Sequence, residues 1–160
     1  MKPATTPAGT LGGSLLSTMS PREIPPPDGL QLDPIGWSTL ATAETDALLV
    51  GDELEIWRVV SSLWPSLPKP RFWCDGQHQR ISLPTYCEGT LILRNVHELS
   101  PPDQAAVLDW CEAHHDRSRM IATAPRHLLT LVERGWFNRR LHDRLKAVHF
   151  SCNGLPSQRC

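Results

Sequence analysis

Four side chains in the middle of the chain have the chemistry of zinc ligands. Cys74, His78, Cys87 and His97 offer two thiols and two imidazoles, a set able to close a tetrahedral site. Only Cys74 and His78 approach the short ligand spacing that zinc sites use. The plainer reading is a buried strand thiol beside a solvated loop histidine. His114-His115, at a helix end, suit the helix dipole and solvent better than a metal. A second chemistry is phosphoryl acceptance. Asp52-Glu53 after one apolar run and Thr123 at the end of another fit that pattern, but Arg94 stands where the acceptor carboxylate belongs. No lysine follows the final strand, so neither a metal centre nor a phospho-receiver is expected.

The elements that must position these residues follow from apolar periodicity. Ala47–Val50 reads as a buried strand stopped by Gly51. From Leu54 to Trp64, Ile56, Val59, Val60 and Leu63 recur at helical spacing. Pro65, Pro68 and Pro70 end that helix. Arg71–Cys74 is a second strand, Gly89–Leu93 a third, Arg119–Thr123 a fourth and Ala147–Phe150 a fifth. Ser100, Pro101 and Asp103 form the start of a helix, as N-cap, first helical residue and first-turn acid. Its buried face is read as Ala106, Val107, Trp110 and Cys111. A helix over Arg126–Arg134 closes at Gly135, and Phe137–Leu145 is another, with Phe137, Leu141 and Leu145 on one face. Alternating strands and helices with short links predict an α/β domain built on a mainly parallel sheet.

Composition narrows the class. The 160 residues carry 16 basic and 17 acidic side chains, for a net charge of −1. That balance speaks against a highly basic nucleic-acid binder and against an acidic tail. No apolar run is long enough to span a bilayer, and the N-terminus lacks a signal-peptide pattern. Five irregularly spaced cysteines suit a reducing compartment, so a cytoplasmic protein is expected. Of 15 prolines, seven lie in the first 34 residues. Residues 1–33 therefore read as a disordered proline-rich arm, residues 34–152 as the domain and residues 153–160 as a tail.

The stretch from Gly89 to Phe150 resembles the AAA+ ATPase domain of bacterial sigma-54-dependent transcription activators. The family pattern G-T-L-F-L-D-E-[IV]-x-E-L is answered by Gly89-Thr90-Leu91-Ile92-Leu93-Arg94-Asn95-Val96-His97-Glu98-Leu99, followed by Gln104 and Val107-Leu108. R-[VL]-I-A-A-T-N-R-D-L is answered by Arg119-Met120-Ile121-Ala122-Thr123-Ala124-Pro125-Arg126-His127-Leu128. G-x-F-R-x-D-L-Y-Y-R-L is answered by the run from Gly135 to Leu145. Ile35-Gly36-Trp37-Ser38 and Ala47–Glu53 resemble the start of the domain and its first strand. The resemblance implies a P-loop NTPase (AAA+)-like three-layer sandwich with a mainly parallel five-stranded sheet, lacking the lid subdomain and a DNA-binding helix-turn-helix.

It also implies where catalysis fails. A P-loop wraps phosphates in backbone N–H groups and needs a lysine for the β- and γ-phosphates. Here Gly51-Asp52-Glu53 runs straight into Leu54-Glu55-Ile56, and the next lysine is Lys69. The Asp-Glu pair that holds Mg²⁺ and orients water is replaced by Arg94-Asn95, and the polar sensor by Pro125. Of two arginine fingers, the first position is Asn138 and only Arg144 remains as a relic. The G-A-F-T-G-A loop that contacts sigma-54 has no counterpart in residues 75–88. Gly51, Asp52, Glu53, Arg94 and Asn95 thus mark a degenerate nucleotide site, with no catalytic residue, no metal and no cofactor.

The expected function is regulation of transcription by an inactive domain that binds a protein, a full-length activator of the same family. Phe137, Arg140, Leu141 and Arg144 are the candidate interface. Membrane binding, direct DNA binding and sigma-54 contact are not expected. The alternatives are a domain that binds nucleotide without hydrolysis, or a decayed remnant. Residues 117–146 hold eight basic side chains against two acidic ones, read as the solvated face of two helices. Of six tryptophans, Trp57, Trp64, Trp73 and Trp110 are read as core, with some filling the vacated nucleotide cleft.

Overall fold

The computed structural model describes residues 24–28, 34–42, 45–77, 80–85, 88–125 and 127–152. His78, Cys87, Arg126, the greater part of the N-terminal arm and the tail after Cys152 lie outside the described residues. Five helices, α1 (Pro34–Thr42), α2 (Glu53–Leu63), α3 (Pro101–His114), α4 (Leu128–Glu133) and α5 (Arg139–Leu145), surround five strands. The strands are β1 (Ala47–Gly51), β2 (Arg71–Asp75), β3 (Gly89–Arg94), β4 (Ser118–Ala124) and β5 (Val148–Cys152). Every pairing is parallel and the order is β2-β3-β4-β1-β5.

A central parallel strand needs cover on both faces, and the side-chain alternation supplies it. On one face Leu48, Leu91, Leu93, Met120 and Ala122 pack with Val107, Cys111, Leu128, Leu141 and Leu145 from α3, α4 and α5. On the other, Ala47, Leu49, Ile92, Ile121 and Phe150 pack with Trp37, Leu40, Val59, Val60 and Leu63 from α1 and α2. The result is a three-layer sandwich, as the family resemblance implied.

Several boundaries moved, each for a local reason. α1 is unforeseen: Trp37, Leu40 and Ala41 are buried, a stripe too short for periodicity to reveal. In α3 the buried face is Gln104, Val107, Leu108, Trp110 and Cys111, whereas Ala106 is exposed. The Ser100 hydroxyl accepts the Asp103 N–H at 3.3 Å, as the cap predicts. α4 begins at Leu128 with His127 as its N-cap, and Gly135 follows it at φ +75°, the left-handed conformation expected of a helix-ending glycine. α5 begins only after Phe137, because Asn138 caps it: its Oδ1 accepts from the N–H groups of Arg140 and Leu141.

Trp57 and Trp73 are not core. They are 50% and 40% exposed, since β2 is an edge strand and Trp57 stands outside the Ile56–Val59–Val60–Leu63 stripe that meets the sheet. Trp64 is half-buried, and only Trp110 of the four is interior as expected; Trp37 is buried too. Ile24, within the stretch read as arm, packs beside the second core cluster, and its carbonyl accepts from Trp37 Nε1 at 2.7 Å.

At the amino ends of the strands sits a polar cluster. Asp46 is buried, accepts the Met120 N–H at 2.8 Å and pairs with Arg144 at 3.2 Å. Buried Arg119 donates to the carbonyls of Thr45 and Leu40. Burial raises the Asp46 carboxyl above its usual range, against the pull of the Met120 N–H, Arg144 and Arg119. Burial likewise lifts the Cys111 thiol to about 12. Asp46→Ala strands a buried N–H and leaves Arg119 without its nearby countercharge. The expected loss is about 3 kcal/mol, read as a lower denaturant midpoint, with Asp46→Asn retaining part of it.

Candidate functional site: a cleft at the carboxyl ends of the strands

In open α/β sheets a ligand sits beyond the carboxyl ends of the strands, where the strand order reverses. That place is β1, from which the chain proceeds to the β2 side and later returns to β5. A cleft of about 730 Å³ lies there, and its walls include Gly51, Glu53, Trp57, Trp73, Arg94, Asn95, His97, Thr123 and Pro125. The structure therefore brings four of the five degenerate-site residues, Gly51, Glu53, Arg94 and Asn95, around one opening. Asp52, the fifth, links β1 to α2 between two of them.

On one side of this cleft the connection from strand to helix is short. β1 ends at Gly51 and α2 begins at Glu53, so Asp52 alone makes the connection. Asp52 is the N-cap, in a capping box whose return bond runs from its own N–H to Glu55 Oε2 at 3.4 Å. A helix N-terminus ordinarily attracts an anion. Here Asp52, Glu53 and Glu55 place three carboxylates on that terminus. The glycine also has a reason of its own: a Cβ on Gly51 would lie 2.5 Å from the Cys152 carbonyl oxygen, across the β1–β5 pairing.

On the β3 side of the cleft stands an ion-pair network. The Arg94 guanidinium bonds to the Glu53 carboxylate and lies 3.7 Å from Asp75. Asn95 adopts φ +51°, donates its side-chain N–H to Asp75 at 3.0 Å and its backbone N–H to Thr123 Oγ1 at 3.3 Å. Carboxylates and a cation thus satisfy one another across the opening, and Thr123, considered for phosphoryl chemistry, holds the turn after β3. Pro125 stands on the wall where a polar sensor would be.

His97 is the residue that sequence patterns undervalued. Its Nε2 lies 3.1 Å from Glu98, and its ring meets His127 edge-on at 5.9 Å. Its Nδ1 is buried without a hydrogen-bond partner. Burial pushes its pKa below the usual imidazole range, opposed by Glu98 and reinforced by His127. Cys74 is raised by burial and donates to the Ser82 carbonyl at 3.1 Å. Among the described residues no three His, Cys, Asp or Glu side chains form a metal-holding group. His78 and Cys87, the other two zinc candidates, lie outside them.

The candidate interface does not form one surface. Phe137 and Leu141 are 2% and 0% exposed within the core; the helical spacing that singled them out is that of a packing face. Arg140 is exposed and pairs with Glu112 at 3.3 Å. Arg144, read as a relic finger, is bound to Asp46 of its own chain at the end of the sheet opposite the cleft. Asn138, at the other finger position, is a helix cap whose N–H donates to Gln104 Oε1 at 2.7 Å. Of the eight cations of residues 117–146, Arg119 is interior rather than solvated.

The pH response follows from His97 and from His142, which burial also lowers, with Lys146 adding to the effect. Both bind protons more weakly when folded, so their stability contribution is full above the ordinary value of 6.5. It is lost as the pH falls from there through their folded values. A Tm that falls over that window, and falls less in His97→Gln and His142→Gln, is the expected result of thermal melts across pH.

Among the described residues no helix is long and apolar enough to cross a membrane. No curated protein sequence matches the chain. Solved structures do. NtrX from Brucella abortus in complex with ATP matches at TM-score 0.60 and 13% identity, covering 74% of this chain and 34% of NtrX. The ADP complex of the same protein gives TM-score 0.54 over 68% and 32% of the two chains. A third NtrX structure gives 0.54 over 69% and 33%. The chain thus spans about a third of these proteins' length, and at this identity they establish the P-loop NTPase-like fold. The sigma-54 interaction domain profile matches residues 70–155, which include the three motif blocks, and the chain belongs to that family.

Proposed function

We propose that this sigma-54 interaction domain does not hydrolyse ATP and acts in transcription regulation by binding a protein, a full-length activator of its own family. The observation that carries the first half is the connection between β1 and α2. A single residue, Asp52, spans it, and three carboxylates crowd the helix terminus where phosphate would rest. Arg94 and Asn95 supply no metal ligand of the required charge. Removing one transition-state donor from an enzyme costs about 10²–10³ in rate; here cradle, metal ligand and water-orienting base are all replaced.

The partner reading rests on family membership and on a core that is complete around the closed site. The contact surface differs from the one that sequence spacing suggested, because Phe137 and Leu141 are interior. Arg140, paired with Glu112, is exposed, as are Trp136 and Leu129. The second reading, nucleotide binding without turnover, draws on one observation: the half-exposed indoles of Trp57 and Trp73 line the cleft.

Phosphate release from ATP and Mg²⁺ is expected to equal the protein-free rate. Arg94→Asp with Asn95→Glu is expected to leave it there, since the phosphate cradle is still missing. Turnover by the native chain would overturn the inactive reading. Mixing the chain with an intact activator is expected to change that activator's ATPase rate or oligomer size, and no change in either would sink the partner reading. Calorimetric heat and quenching of tryptophan fluorescence by saturating ATP would establish the nucleotide-binding alternative.

A further inference from the structure

Trp73 on the edge strand stands between two other indoles. Its ring centroid is 5.5 Å from Trp64, nearly parallel at 25°, and 5.6 Å from Trp57, tilted at 38°. Arg71 lies over the outer Trp64 ring at 4.9 Å. Burying an indole is strongly favourable, so two of them left 40–50% exposed side by side mark a surface with a use. A furrow of about 350 Å³ between Trp57, Val60, Ser61, Trp64 and Trp73 runs along it.

A proline segment of the chain itself lies close to that furrow, beside its Trp57 and Ser61 end. Pro25, Pro26, Pro27 and Asp28 form one wall of an adjoining hollow whose other wall is Trp57, Arg58, Ser61 and Ser62 of α2. Proline fixes φ near −65° and restricts the residue before it to extended backbone, so three in a row form a polyproline II turn. Ile24 moors this turn through the Trp37 bond at 2.7 Å and its packing on the core. Aromatic-lined furrows accept such segments because their conformational entropy is already spent.

We propose that the Trp57–Trp64–Trp73 face is a docking site for a proline-rich segment of a partner protein, with the chain's own Pro25–Pro26–Pro27 as the competing occupant at its Trp57 edge. The incoming segment is a polyproline II stretch flanked by an acidic residue, which meets exposed Arg58 as Asp28 borders it in the resident arrangement. Indole faces supply affinity and the pre-extended backbone keeps the ordering cost low. This surface lies on the α2–β2 flank and does not depend on the activator being the partner.

The test titrates a labelled peptide carrying the chain's own residues 22–30 into the full chain and into the Pro25→Ala/Pro26→Ala/Pro27→Ala variant. The resident prolines border only the Trp57 end of the furrow, so their removal is expected to tighten binding by about twofold, the factor for a half-masked site. Indole N–H resonances of Trp57, Trp64 and Trp73 move on titration while that of interior Trp110 stays. Trp57→Ala, or Trp73→Leu independently, weakens binding by about tenfold or more; the resonance pattern decides if either variant fails to fold. Equal binding of a peptide with alanine for its three prolines, equal affinity for native chain and triple variant, or unmoved indole resonances overturns the proposal. So does displacement of the peptide by stoichiometric single-stranded oligothymidylate, which would assign the platform to nucleic acid.

Discussion

Everything at the carboxyl end of the sheet depends on how β1 reaches α2. With one residue between Gly51 and Glu53, α2 starts against the strand end, and its capping requirements fall on side chains rather than on a ligand. Glu53, the first residue of that helix, draws Arg94 across the opening. Arg94 in turn borders Asp75, which receives Asn95, which reaches Thr123. A short covalent link thus propagates into a self-neutralising network on three strand ends.

The opposite end of the sheet has a comparable device with another role. Asp46 joins the backbone of β4 to Arg144 of α5, and Arg119 ties β4 to α1 through the Leu40 carbonyl and to the approach to β1 through that of Thr45. Buried charge of this kind adds little net stability but is costly to break, so it fixes the relative placement of α1, β4 and α5. A side chain that a motif comparison reads as a finger for a neighbouring subunit is here an internal tie.

The five strands and the capped α3 were legible in the sequence because each rests on a local rule: apolar runs, Ser100 before Pro101, Gly135 after a helix. That Gly51, Glu53, Arg94 and Asn95 share one cleft was legible for a related reason, since they stand at the ends of two recognisable strands. What escaped detection depends on pairs distant in the chain. Nothing near Asp46 announces Arg144, and nothing near Trp73 says that its strand lies at an edge with one face uncovered. Phe137 and Leu141 show the limit of pattern reading: a helical apolar stripe looks the same whether it meets a partner or its own core.

β2 closes one margin of the sheet, and the way it ends has a consequence for assembly. An uncovered strand margin invites another strand to add by main-chain pairing. This one is only five residues long, is preceded by Pro68 and Pro70, and begins at Arg71, whose guanidinium turns back onto the Leu67 carbonyl at 2.9 Å. Such a margin is poorly suited to templating a further strand. A molecule that meets it encounters indoles and a guanidinium before it meets peptide groups, so recognition on this flank is read by side chains and the sheet stays finite.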